Sequence, residues 1–369
     1  MSEQEAPGGA GAAAPIEDLG RLALLDLMRT VALLRVVALH VTGIDPLTWF
    51  ASMPVMFFVA GSLFSRSSRT RRGRTVIRDR FRRILPSLFG YAAMLTVLYG
   101  SLGLLTPTLA SVRDAAGWIT ELGVDDTARL YVPVISLEPP VGPGSPAGDL
   151  FWTWNPLWYL HTHLLLVLIG PLLVAGYRSR RNLTLGIVGA LWLLDAVANR
   201  GTFNTPTFLV FFVLGFTFDD GTLLRIERRT IGRWGLLAAV LGLALVPFGP
   251  ELGINQWVPS LFLLGLAWIA AALYWRAPLE RLAATRLVRP VIAFVNRRAL
   301  TIYLWSLLGV YLSRLLFPVD ADGLLALAAI AVASLALTAV VTLVACAAMG
   351  WIEDLAARRR PQLWPSARP

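Results

Sequence analysis

LDLMRTVALLRVVALH, Leu25–His40, is apolar enough to enter a bilayer, yet it carries Asp26, Arg29, Arg35 and His40. Ionisable groups within a spanning helix are expensive and by default mark a site. At about 100° per residue, Arg29 and His40 fall within about 20° of the same helix face. Asp26 lies about 60° from Arg29, on the same side. One face therefore presents acid, base and imidazole in a column roughly 20 Å long, at about 1.5 Å per residue. Arg35 points the other way and needs its own partner. Asp195, the only similarly deep acid in a later segment, is the expected one.

The rest of the chain also reads as a membrane protein. It has 369 residues, of which 56% are hydrophobic and only 15% charged. Soluble domains carry about 25% charged residues. The expected fold is all-α, a polytopic protein with about ten transmembrane helices of roughly 20 residues each. The segments are 23–43, 47–65, 84–105, 156–176, 183–200, 204–219, 233–250, 257–275, 299–317 and 324–350. All 33 basic residues are Arg and none is Lys. They gather in every second loop: Arg66–Arg83, Arg178–Arg181, Arg225–Arg233, Arg276–Arg298 and Arg358–Arg360. The intervening loops are acid-biased. This alternation is the positive-inside pattern, and it predicts that both termini are cytosolic. The net charge of +10 thus reports orientation in a membrane and not nucleic-acid binding.

Residues 1–20 are Ala/Gly/Pro-rich and read as a disordered cytosolic tail. Residues 21–350 form the membrane body, with a long outer loop over about 106–155, and residues 351–369 form a short basic cytosolic tail. The first apolar segment keeps its charges, so no cleavable signal is expected. Cys346 is the single cysteine, so no intrachain disulfide can form. There is no Walker loop, dinucleotide fingerprint or internal repeat. The Lys-free, Ala- and Arg-rich composition suggests a high-GC bacterial genome.

Several motifs stand in a fixed order: Arg29 with ten residues before His40; PVMFFVAG, Pro54–Gly61; RDRFRRILP, Arg78–Pro86; NPLWYLHTHLLLVLIGPLL, Asn155–Leu173; FLVFFVLGF, Phe208–Phe216; and NRRALTIYLWS, Asn296–Ser306. In this order the chain resembles the membrane acyltransferase-three family, integral membrane O-acyltransferases of bacteria, from residue 22 to about 350. The resemblance implies a ten-helix enzyme in the plasma membrane. It moves an acyl group, often acetyl, from cytosolic acyl-coenzyme A to a hydroxyl of a glycan, lipid or small molecule. Acyl-coenzyme A is then a co-substrate, and no permanently bound cofactor or metal is expected. The resemblance matches the family's Arg-to-His pair to Arg29 and His40, and its paired arginines to Arg80 and Arg83. Two positions depart from the family: Ala60 stands before Gly61 where Ser is common, and Ser306 replaces a histidine.

Acyl transfer to an alcohol needs a base for the hydroxyl proton, and His40 is the candidate. Its bland alternative is a packed intramembrane histidine. Arg29, Arg80 and Arg83 are candidates for coenzyme A phosphates, since Arg binds phosphate bidentately. Their alternative is orientation and contact with anionic lipid. Asp26 orients Arg29 or simply neutralises it. His161 and His163 differ by about 200° around a helix, so they cannot face one point as a metal pair. One of them, with Trp158, is a candidate for the acceptor pocket, although an interfacial aromatic belt also explains Trp158. Two rival functions remain at this point: a transporter or exporter of a lipid or small molecule, and an inactive relative acting as a binding protein.

Overall fold

The computed structural model describes residues 16–105, 157–198, 205–248, 257–317 and 323–363. The outer loop 106–155, most of the amino-terminal tail and the end of the carboxy-terminal tail lie outside the described residues. Among the described residues there are twelve α-helices and no strand. They are α1 (Ile16–Thr42), α2 (Ser52–Thr70), α3 (Gly73–Leu105), α4 (Trp158–Ser179), α5 (Arg181–Ala198) and α6 (Thr205–Asp219). They continue as α7 (Arg228–Leu245), α8 (Val258–Tyr274), α9 (Arg276–Ala284), α10 (Val288–Arg297), α11 (Ala299–Leu316) and α12 (Leu324–Ala356).

Each of the ten expected segments overlaps one of these helices. Four helical stretches are individually long and apolar enough to cross a bilayer, and six are if each bent pair counts as one crossing. Helix α1 is long enough, but its window carries Asp26, Arg29 and Arg35. Helix α6 is apolar but only 15 residues long. Many apolar side chains on α5, α7 and α12 point outward, among them Val197, Leu236 and Val332. A continuous apolar exterior of this kind is suited to lipid and not to water. The chain is a multi-pass, all-α membrane protein.

Helix α1 is the hub. It packs against α2, α9, α10, α11 and α12. Its buried face is apolar, with Leu24, Leu25, Ala32, Leu33 and Val36 inside. The most extensive helix contact joins α2 and α6. Each carries Phe-Phe-Val-x-Gly, and Phe57, Phe58, Phe211 and Phe212 are all fully buried. A Cβ placed on Gly61 would lie 1.8 Å from the Phe212 carbonyl oxygen. Small residues let helix backbones approach closely where lipid supplies no hydrophobic drive. The α11–α12 pair uses the same device. A Cβ on Gly309 would meet Thr338 Cα at 2.8 Å, and Ser313 Oγ bonds Gly309 O at 2.8 Å.

The arginine-rich loops converge on one end of the bundle. Arg69 Nε donates to Asp219 Oδ2 at 3.0 Å, tying the end of α2 to the end of α6. Arg178 Nη1 donates to Ser68 O at 3.2 Å, and Arg82 Nε to Ala356 O at 3.1 Å. The alternation of charge along the chain thus becomes one cationic end in space.

The expected Arg35–Asp195 pair is not among the ion pairs of the described residues. Arg35 Nε donates instead to the Leu47 carbonyl, in the turn that follows α1. Helix α5, which carries Asp195, packs on α4, α6 and α8. The folded neighbourhood, not depth in the bilayer, decides the partner.

A cationic cavity at the arginine-rich end

At the cationic end, α1, α2, α3, α4, α10, α11 and α12 surround a cavity of about 180 Å³. Its position follows from a break in one helix. Helices α10 and α11 meet at 83°. The break exposes Asn296, Arg297, Ala299 and Leu300 to the space between α1 and α12. Arg298, at the corner, is fully buried. It donates to Gly350 O at 2.8 Å and to Asp354 Oδ2 at 2.9 Å. A buried charge persists only when paired and hydrogen-bonded, so this pair holds the corner.

Five arginines line the cavity: Arg29, Arg80, Arg83, Arg297 and Arg359. Glu353 is the only carboxylate among the lining residues. Its oxygens are already engaged at the start of α11, accepting from Thr301 Oγ1 at 2.8 Å, Thr301 N at 3.3 Å and Leu300 N at 3.4 Å. An acid beside unsatisfied amides of a helix start is the favourable arrangement. The lining therefore keeps an excess of positive charge.

The cavity has an inner and an outer part. Inside, His163 and Tyr159 lie within electrostatic reach of both Arg29 and Arg80. The His163 ring sits 5.8 Å from Tyr159 and 6.4 Å from Phe57, centroid to centroid, and its Nδ1 is buried without a partner. Tyr303 stacks edge-on to Tyr159 at 5.6 Å and also lines the space. Asn296 Nδ2 donates to Asp26 O at 2.9 Å and Thr30 Oγ1 at 2.8 Å, locking α10 to α1. Its Oδ1 is buried and unpartnered. At the outer lip, Arg83 and Arg359 are both exposed, and the charge of Arg359 acts on Arg83.

Of the residues singled out from sequence, Arg29, Arg80, Arg83, His163 and Ala60 line the cavity. Asp26, His40, His161, Trp158 and Ser306 do not. Asp26 lies next to Arg29 on α1. His40 lies further along the helix, within electrostatic reach of Arg35 and Arg314. His161 is buried on the other side of α4, as its 200° separation from His163 requires. Trp158 stacks on Phe208 at 5.3 Å. Ser306 is buried off the cavity, its hydroxyl bonded to Tyr303 O at 3.1 Å. Sequence reasoning named Tyr159 only among aromatics that could stack on a sugar, and missed Asn296, Arg297, Tyr303, Glu353 and Arg359. Three of the missed five sit in a quoted motif, but nothing in the spacing indicated that α4, α10 and α11 meet α1 at one place. Glu353 and Arg359 sit in a tail read only as basic.

The sequence profile of the acyltransferase-3 family, an acyltransferase domain, matches residues 22–346. No curated protein and no solved structure matches the chain.

Proposed function

Because this chain belongs to the acyltransferase-3 family, we propose that it is a plasma-membrane O-acyltransferase fed from the cytosol by an acyl-coenzyme A. The transferred group is acetyl in the simplest case. The acceptor is a hydroxyl of a cell-surface glycan, a glycolipid or a small molecule. The observation that carries this reading is the gathering of Arg29, Arg80 and Arg83 around one cavity at the cationic end. Several guanidinium groups around one space are suited to a ligand with several phosphates. A neutral thioester arm would extend inward from them, past Tyr159 and His163.

His40 is the base in this scheme. It lies about 16 Å further along α1 than Arg29, at 1.5 Å per residue, towards the face from which an outer acceptor would arrive. The imidazole takes the proton of the acceptor hydroxyl as the oxygen attacks the thioester carbonyl. The carbon–sulfur bond breaks, the coenzyme A thiolate leaves, and the imidazolium returns the proton to it. Asp26 orients Arg29. His163 lines the path of the thioester arm, and His161 and Trp158, off the cavity on the same helix, are the remaining candidates for acceptor contact. The lipid bilayer is the remaining partner.

The test uses inverted membrane vesicles holding the wild-type protein or His40→Ala at equal level, with labelled acetyl-coenzyme A outside. Release of free thiol and transfer of label to glycolipid are followed. Turnover lost with His40→Ala is the expected result. Turnover that survives removes His40 from the chemistry and leaves the enzyme class standing. Substrate movement without thiol release from any acyl-coenzyme A would favour a transporter.

A further inference from the structure

We propose that the turn after α12, residues 357–362, is the outer lip of the acyl-donor site, and that Arg359 with Arg83 holds the phosphate end of the donor. The proposal rests on the acyl-coenzyme A reading above and extends it to a segment beyond the family match, which ends at residue 346.

Four observations converge. First, Ala357 and Arg359 line the same cavity as Arg80 and Arg83. Second, Arg359 exerts the strongest charge effect on Arg83, a like-charge repulsion that Asp79 offsets only in part and that a bound anion would relieve. Third, the nearby carboxylates already have partners, although Asp79 also acts on Arg83. Asp79 faces Arg71 at 3.3 Å, and Glu353 accepts from Thr301 and Leu300. Asp354 receives Arg297 Nε and Arg298 Nη2 at 2.9 Å each, and Gln362 N at 3.1 Å.

Fourth, the turn is held in place without a ligand. Arg358 adopts a φ of 56°, the left-handed conformation that side chains other than glycine rarely take. It is fixed by Arg359 N donating to Asp354 O at 2.8 Å. Beyond it, Arg297 Nη2 donates to Arg360 O at 3.2 Å, and Arg298 Nη2 donates to the Gln362 carbonyl. The buried Arg298–Asp354 pair thus does two things: it fixes the α10–α11 corner on one side of the cavity, and it clamps the turn that carries Arg359 on the other. A binding group positioned in advance loses less freedom when its ligand arrives.

The experiment measures equilibrium binding of coenzyme A, and of pantetheine as a phosphate-free probe, to the purified full chain in nanodiscs. The proteins are wild type, Arg359→Ala, Arg359→Lys and Arg286→Ala, each checked for unchanged melting temperature. A lost charged hydrogen bond corresponds to about tenfold in affinity or more. Arg359→Ala is expected to weaken coenzyme A by that factor and leave pantetheine unchanged. Arg359→Lys is expected to recover part of the loss, and Arg286→Ala, an exposed arginine off the cavity, to bind within about twofold of wild type. In turnover, Arg359→Ala is expected to raise KM for acyl-coenzyme A without lowering kcat. Wild type that binds coenzyme A while Arg359→Ala binds it equally well overturns the proposal alone. Wild type that binds pantetheine and coenzyme A equally, or neither, overturns the acyl-coenzyme A reading beneath it.

Discussion

Gly61 and Gly215 face each other across the α2–α6 crossing: a Cβ on Gly215 would lie 2.9 Å from the Gly61 carbonyl carbon and 2.3 Å from the Phe58 carbonyl oxygen. The two Phe-Phe-Val-x-Gly motifs are therefore two halves of one contact. Their glycines bring the backbones together, and their phenylalanines fill the buried faces on either side. Gly61→Ala or Gly215→Ala must push the helices apart. Either is expected to destabilise by about 1–3 kcal/mol, the range for overpacking a tight site. A thermal-shift measurement in detergent checks this, with Gly186→Ala as control, since a Cβ there meets nothing within 4 Å.

Arg80 and Arg72 sit in the same arginine-rich stretch, but only Arg80 lines the cavity. Arg80→Gln is expected to raise KM for acyl-coenzyme A about tenfold or more, the loss of one charged contact. Arg72→Gln is expected to leave it unchanged. Equal effects in the two variants would mean that the stretch acts through bulk charge and not through a site.

His40 and His163 divide the proposed reaction between them. His40→Ala is expected to lower kcat by about 10²–10⁴-fold, the usual contribution of a positioned base, with little change in KM for acyl-coenzyme A. His163→Gln, on the cavity wall, is expected to act mainly on KM. Kinetics under saturating donor separate the two, and the reverse assignment would exchange their roles.

Asp354 is 1% exposed and receives both Arg297 and Arg298, the second of which is fully buried. Asp354→Asn leaves a buried guanidinium without its counter-charge, a change that typically costs about 3–5 kcal/mol. Arg298→Met combined with Asp354→Leu is expected to be less destabilising than either single change. Melting temperature measures this. Limited proteolysis is expected to cut the loosened turn near Arg359 first.

Asp220 lies in the turn after α6, outside the apolar spans. Partial burial pushes its carboxyl up, but hydrogen bonds from Thr222 and Tyr177 and the charge of Arg181 outweigh burial and hold it below the ordinary carboxylate value. Tyr177 Oη donates to Asp220 Oδ2 at 2.7 Å and Thr222 N to Oδ1 at 2.8 Å. A depressed folded-state pKa contributes stability above the unfolded value, near 3.8, and loses it as pH falls through the folded value. Asp220→Asn is expected to lower stability at pH 7 by about 0.5–1.5 kcal/mol. The gap to wild type should close on acidification below about pH 4.

Much was legible along the chain because the bilayer imposes simple rules. Apolar length set the helices, so each expected segment overlaps an observed one. The face of α1 was legible because helical periodicity is local: Asp26 and Arg29 do lie together, and Arg29 does face the site. The opposed directions of His161 and His163 followed from the same geometry. The Arg35 partner was not legible, because depth in a membrane does not specify which helices are neighbours. Nor was the Tyr159–Tyr303 wall, since its residues are 144 positions apart and meet only when α4 packs near α11.

The amino-acid sequence by itself determined the solvent, the helical class, the cationic end and the family. These depend on composition and on periods of a few residues, which survive in one dimension. The tertiary structure alone decided which arginines share a cavity and which side of His163 is open to it. It alone decided that Arg298, at an 83° bend, holds through Asp354 and Gln362 the turn that brings Arg359 to the same cavity as Arg83. Those relations depend on crossing angles and on the glycine contacts that set them, and a crossing angle is a property of two surfaces in contact.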